Sequence, residues 1–159
     1  AGDVEITFDE YTIDFSFNGK GLEAGCGPGC GVHIHTGTTC SDADLVGGHY
    51  WAPAGTEDPW INDVTYYDSD SFGNAIGKFS IENGYLIEGN VGHAVVVHDS
   101  DGVRVGCGIL LEPEKTSKGS KKAKKSQKTK KTKSSTAQRV LNAVIGTYPD
   151  YDGDLIVSG

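Results

Sequence analysis

Residues 4–17 read VEITFDEYTIDFSF, two runs in which apolar and polar side chains alternate one by one. A period of two places the apolar side chains of each run on one face, which predicts β-strands at residues 4–8 and 11–17. The pair Asp9-Glu10 between them predicts a turn or a bulge. The 159 residues include 23 glycines and few apolar stripes of helical period, which extends the prediction of a β-rich chain with many turns.

Further strands are expected wherever similar runs return. They are residues 31–35, 74–81, 85–88, 94–98, 103–111, 140–148 and 154–157. Residues 36–70 show no clear period and predict a long loop, which is usually functional or held in place by a cross-link. The pair Asn83-Gly84 predicts a turn, and Asp101-Gly102 predicts a hairpin. The whole pattern predicts one all-β domain, a β-sandwich of about eight short strands.

Charge divides the chain into an acidic body and a basic segment. The formal net charge is −8, yet residues 115–139 hold ten lysines, one arginine and no acid. We therefore predict a main body at 1–112, a flexible Lys/Ser-rich linker at 113–138 and two strands at 139–159. The linker has no aromatic residue and cannot bury enough apolar surface to offset its ordering entropy. It should be attracted to the acidic body, more weakly as salt rises.

Histidines supply the main chemical signal. In the stretch His33-Ile34-His35 a strand would place both imidazoles on one face, because side chains at i and i+2 point the same way. His49 follows two glycines, and His98 ends an apolar run. Four histidines without nearby thiolates suit copper or zinc; the alternative is a surface pair beside two unrelated histidines. The fifth, His93, is expected to be a solvated side chain.

The four cysteines favour disulfides and a secreted, extracellular protein, with zinc ligation as the competing use. The Gly-Pro-Gly turn between Cys26 and Cys30 favours a small disulfide loop. No run of about 18 apolar residues occurs, so no membrane partner is expected. The chain has no methionine, even at position 1, which suggests a sequence that begins after processing.

The ordered set of these residues resembles the copper/zinc superoxide dismutase superfamily. The stretch His33-Ile34-His35 is similar to the strand with two copper ligands, and Gly48-His49 is similar to the third. The run Val95-Val96-Val97-His98-Asp99 is similar to the strand that ends in the fourth. Cys40 and the run Arg104-Val105-Gly106-Cys107-Gly108 resemble the family's disulfide and its anion-guiding arginine.

That resemblance implies a Greek-key β-sandwich or barrel with one copper per chain, held by His33, His35, His49 and His98. It implies a disulfide between Cys40 and Cys107. It also implies dismutation of superoxide to oxygen and hydrogen peroxide, with Arg104 guiding the anion and His49 as protonation switch. Glu57, Asp58 and Asp63 are the acids that could orient His49.

The chain departs from the family's pattern in two ways, and in both it resembles the copper-only branch of the family, which includes extracellular and tandem-repeat forms. No histidine lies between His49 and His93, so no zinc site is evident, and Arg104 follows His98 by only six positions. The family's first strands have no counterpart before the HxH strand except residues 4–19. Circular permutation, with residues 139–159 completing the same sandwich, explains this. Alternatives are excision from a tandem array, or completion of a neighbouring subunit by strand exchange.

A second function, from a different class, is a structural or biomineralisation scaffold. Lysines spaced among serines and threonines suit silica or another polyanion, and an acidic body with a basic segment could self-assemble. The acidity of the body argues against nucleic acid as a partner, although phosphate contacts alone could hold it.

Overall fold

The structure is a computed structural model that describes residues 1–52, 57–61, 64–115 and 139–152. Within them the chain forms strands, two four-residue helices and one 3-10 turn at Pro59–Ile61. The strands are β1 Gly2–Asp9, β2 Thr12–Gly19, β3 Val32–His35, β4 Asp68–Ser69, β5 Ala75–Glu82, β6 Ala94–His98, β7 Arg104–Ile109 and β8 Arg139–Thr147. The helices are α1 Ala43–Val46 and α2 Ile87–Asn90.

All eight strands belong to one antiparallel, curled sheet in the order β3-β6-β7-β8-β1-β2-β5-β4. An isolated bridge between Gly31 and Tyr66 joins the chain just before β3 to the chain just before β4, at the two edges of the sheet. The prediction of an all-β barrel or sandwich is confirmed.

Alternation in β1 and β2 reflects burial of one face. Val4, Ile6 and Phe8 are at most 6% exposed, and on β2 Phe15 lies opposite Ile6 in the ladder. Their neighbours in sequence point outward. Because cross-strand partners share a face, the two strands present one continuous apolar surface to the core.

Strand β6 differs, because both of its faces are buried. Val95 and Val97 pack in the main core, whereas Ala94 and Val96 pack in a second cluster with Val46 of α1. A strand that is covered on both faces needs apolar side chains at successive positions, so residues 94–97 show no alternation of apolar and polar side chains. The segment between β3 and β4 therefore covers the outer face of β6, and this is where the histidines lie.

One predicted strand is wrong. Residues 85–88 do not pair in a sheet; the chain instead turns into α2. The buried side chain of Asn90 donates to the carbonyls of Tyr85 and Leu86 and accepts a hydrogen bond from Asn83 at 2.7 Å. These local bonds satisfy backbone groups that a strand would offer to a neighbour.

Strand β8 lies between β7 and β1 of the same chain. It pairs with β1 over seven positions and with β7 at Gly106 and Cys107. The predicted strand at 154–157 and the Lys-rich stretch at 116–138 lie outside the described residues, so strand exchange between molecules stays a prediction. Among the described residues, no helix is long and apolar enough to cross a bilayer.

Candidate metal centre

Four histidines from three parts of the chain meet on the outer face of the sheet. The ring centroid of His33 lies 4.6 Å from that of His49 and 4.7 Å from that of His98. The ring of His35 lies 5.2 Å from His49 and 5.4 Å from His98. The alternative of a surface pair beside two unrelated histidines is therefore wrong. One ring nitrogen from each of His33, His35 and His49 lies within 4.8 Å of the other two, and the three could hold a metal ion. His98 stands beside this triad.

Sheet register explains why the imidazoles converge. His33 lies opposite Val96 and His35 opposite Ala94, and partners in a ladder share a face. After α1 the chain returns along β3, where His35 and His49 form an isolated bridge. The HxH pattern sets which face the first two rings occupy, and the returning loop supplies the third.

Three of these side chains carry buried nitrogens that lack a hydrogen-bond partner. They are Nδ1 of His33, Nε2 of His35 and Nδ1 of His98. A buried polar atom without a hydrogen-bond partner destabilises the folded state by about 1–3 kcal/mol, so three such nitrogens in one cluster lower its stability considerably if they stay without a partner. A cation that accepts their lone pairs would remove that cost, which makes the cluster a candidate metal centre.

Burial keeps these imidazoles neutral. Desolvation, with repulsion from the neighbouring histidines, lowers the pKa of His33 to about 2. Desolvation likewise lowers the pKa of His35 to about 3 and that of His98 to about 4. Metal binding requires neutral imidazole, so near pH 7 the lone pairs are ready. Nδ1 of His35 donates to the carbonyl of Gly47 at 2.9 Å, which selects the tautomer with a free Nε2.

His49 is oriented by an acid. Its Nδ1 donates to Oδ2 of Asp58 at 2.7 Å, with side chains 21% and 17% exposed. The other carboxylate oxygen accepts the backbone N–H of Trp60 at 2.9 Å, at the start of the 3-10 turn. Of the three acids predicted for this role, Asp58 makes the contact, Glu57 is exposed, and Asp63 lies outside the described residues. A carboxylate on the far nitrogen is typical of metal-bound histidine and leaves Nε2 available.

Arg104 faces His98 across the β6–β7 ladder. Its Nη2 donates to the carbonyl of Gly47 at 2.7 Å, the same carbonyl that accepts from His35. Its Nη1 donates to the hydroxyl of Tyr148 at 3.1 Å. The structure therefore brings the arginine next to the histidines, while its role in guiding an anion stays a prediction.

A cleft of about 340 Å³ opens on His33 and His49. Trp60, Ile61 and Tyr66 form part of its wall, and no acidic or basic side chain other than the histidines is among the lining residues that the structure describes. The side chains of His33 and His49 therefore border a space that a small molecule can enter from solvent, which a closed structural metal site would not provide.

Both cysteine pairs lie at disulfide distance. The Cα atoms of Cys26 and Cys30 are 6.0 Å apart, and those of Cys40 and Cys107 are 5.7 Å apart. The second pair ties the loop that carries His49 to strand β7. Two such pairs fit an oxidising, extracellular environment, and cysteines bonded to each other are not metal ligands.

The expectation of a solvated His93 is wrong. Its ring stacks on Tyr50 at 3.8 Å between centroids, and Tyr50 stacks on Tyr85 at 4.5 Å. Its Nδ1 lies 3.2 Å from the carbonyl oxygen of His35. His93 is thus held between an aromatic ring and the backbone of the metal-site strand β3.

Comparison of the chain with family models, with curated proteins and with solved structures finds no match. The described geometry offers neutral imidazoles with unpaired nitrogens, an oriented His49 and an open cleft.

Proposed function

We propose that this chain is an extracellular, copper-only superoxide dismutase-like protein. The observation that carries the proposal is the set of three buried, unpartnered imidazole nitrogens beside an open cleft. The residue pattern adds the resemblance to the superoxide dismutase superfamily. The paired cysteines fit the oxidising compartment in which such a protein would work.

The donor set fits copper. All the nitrogens come from imidazoles, which tolerate both Cu²⁺ and Cu⁺, and no thiolate is present among the described side chains of the cluster. His33, His35, His49 and His98 would hold one copper ion per chain. Imidazole also suits zinc, so metal identity is the first quantity to measure.

Copper supplies the one-electron chemistry when bound: two superoxide ions and two protons give one oxygen and one hydrogen peroxide. The chain's residues do the rest. Asp58 fixes the ring of His49, so that Nε2 either binds metal or holds a proton. The cleft gives a diatomic anion access to His33 and His49. Arg104, which does not line the cleft, provides a positive charge on the side of the cluster formed by His35 and His98.

The experiment is metal analysis of the purified protein, followed by a superoxide dismutation assay with and without added copper. About one copper per chain and copper-dependent activity are expected. If the protein holds no copper and shows no activity after copper is added, the proposal is refuted. Stoichiometric zinc with no redox activity would contradict it equally.

Asp58→Asn tests the role given to His49, and Glu57→Gln is its matched control. Loss of the carboxylate weakens the imidazole as a ligand, and such outer partners typically contribute about 10–100-fold in metal affinity. Glu57→Gln removes the same charge from the neighbouring exposed position. Equal copper affinity of the two variants would contradict the role of Asp58.

Circular permutation is part of the proposal. The position of β8 between β7 and β1 is what a strand moved from the start of a sandwich to its end would occupy. A rearranged chain that begins at residue 139, continues through 159 into residue 1 and ends at 112 should therefore fold and bind copper like the original. An unfolded product would contradict the permutation.

The scaffold hypothesis rests on the charge segregation of the sequence. Deleting residues 115–133 separates it from the enzyme. Loss of salt-sensitive assembly or of silica precipitation, with dismutation unchanged, would favour the scaffold role. Unchanged assembly would make the Lys-rich stretch a linker only.

A further inference from the structure

Tyr148 lies directly after β8 and is only 8% exposed. Its hydroxyl accepts a hydrogen bond from Nη1 of Arg104 at 3.1 Å and donates one to the carbonyl of Ala43 at 3.2 Å. The guanidinium carbon lies 5.9 Å from the centre of the tyrosine ring. One tyrosine hydroxyl thus holds the arginine and a helix end together.

The second acceptor of the arginine lies at the other end of the same helix. Ala43 is the first residue of α1, and Gly47 follows its last residue, Val46. Because Nη2 of Arg104 donates to the carbonyl of Gly47, the pair of side chains spans α1 from end to end. The carbonyl of Gly47 also accepts from His35, so the hydrogen-bonded chain ends at the metal centre.

The orientation of the guanidinium depends on two such anchors. Held by Gly47 alone, the group could rotate about that bond, and a long side chain gains conformational entropy when it is released. A planar fork with two fixed acceptors has a single orientation. The Tyr148 hydroxyl is the second acceptor.

We propose that Tyr148 is a positioning residue that sets the guanidinium of Arg104 as the anion-binding cation of the metal centre. The segment that follows β8 is then part of the site, although it lies 44 residues from Arg104 in sequence. This inference rests on the proposed function, because it gives Arg104 an anion to bind. It adds a residue for which the sequence carries no motif.

The test measures azide affinity of the copper-loaded protein by visible-absorption titration, with azide as a monovalent anion probe. Tyr148→Phe should bind azide about tenfold more weakly while its copper content stays at the wild-type value. Tyr151→Phe is the matched control, three residues further in the same segment. No hydrogen bond of the Tyr151 hydroxyl is present among the described residues, so this variant should bind azide as the wild type does.

A double-mutant cycle shows whether Tyr148 acts through the arginine. Lysine at position 104 lacks the fork, so Tyr148→Phe in the Arg104→Lys background should change azide affinity less than about twofold. Equal losses in both backgrounds, or wild-type azide affinity of Tyr148→Phe at equal copper content, overturn the proposal.

Nuclear magnetic resonance of the metal-free wild type gives a readout independent of copper. The Nη protons of Arg104 should give separate, slowly exchanging signals, and in Tyr148→Phe these should merge. Merged signals in the wild type would overturn the proposal even if Tyr148→Phe does not fold. Absence of copper binding together with separate Arg104 signals would refute the proposed function and leave the positioning contact supported.

Discussion

Acidification should destabilise the metal-free protein well before its carboxylates titrate. His33, His35 and His98 have pKa values lowered to about 2, 3 and 4 by burial, against an ordinary value of 6.5. At a pH between the lowered pKa values and 6.5, these histidines are protonated in the unfolded chain but not in the folded one. The stability conferred by the neutral imidazoles is therefore fully present above pH 6.5 and is lost as pH falls below it.

The magnitude follows from the ordinary pKa. At about pH 5.5 each histidine of the unfolded chain is mostly protonated, which lowers the free energy of unfolding by roughly 1.4 kcal/mol per group. Three groups give about 4 kcal/mol between about pH 7.5 and 5.5. That is a large part of the about 5–15 kcal/mol by which proteins of this kind are stable.

Urea unfolding of the metal-free protein at both pH values, with the disulfides intact, measures this. A midpoint that falls steeply at the lower pH is expected, and His98→Gln should remove about a third of the difference. Bound copper should raise the unfolding free energy at both pH values and leave the difference between them in place above about pH 5.5, because the folded imidazoles carry no proton there with or without metal. Equal unfolding free energies at the two pH values in the metal-free protein would refute the reasoning.

Two further predictions concern the support of the site. A Cβ at Gly31 would collide with the ring of His33, so Gly31→Ala should weaken copper binding at least about tenfold. At Gly48 a Cβ meets nothing within 4 Å, so Gly48→Ala should bind copper as the wild type does. Equilibrium titration of each variant with copper distinguishes the two. Removing the Cys40–Cys107 pair, which has a sequence separation of 67, should lower the free energy of unfolding by about 4 kcal/mol, against about 2 kcal/mol for Cys26–Cys30 with its separation of four. Equal urea midpoints of the two serine double variants would contradict this order.

Most strands could be predicted because burial on one face imposes a period of two. This holds for β1, β2 and β5, whereas the two residues of β4 are too few to show a period. The strand prediction at residues 85–88 is wrong because Tyr and Ile favour strands, while the competing bonds come from asparagine side chains on either side.

The residues of the site likewise include some that the sequence could predict and others that it could not. Its HxH pair could be read directly, since alternate positions of one strand suffice to place His33 and His35 on one face. The choice of Asp58 among three acids could not be read, because it depends on how a 3-10 turn presents its carboxylate. The prediction for His93 is wrong because its environment is an aromatic stack assembled from two distant segments.

By itself the sequence determined the strand faces, the candidate ligands and the cysteines available for pairing, since each follows from short-range spacing or residue chemistry. Only the tertiary structure decided which groups position those ligands and Arg104. Asp58 contacts His49 from a 3-10 turn, and the carbonyl of Gly47 accepts from His35 at a helix end. Tyr148 contacts Arg104 just after the strand that lies between β7 and β1. Such contacts form because the curled sheet brings together segments that are far apart in sequence. A pattern of neighbouring residues carries no information about which distant segments will meet.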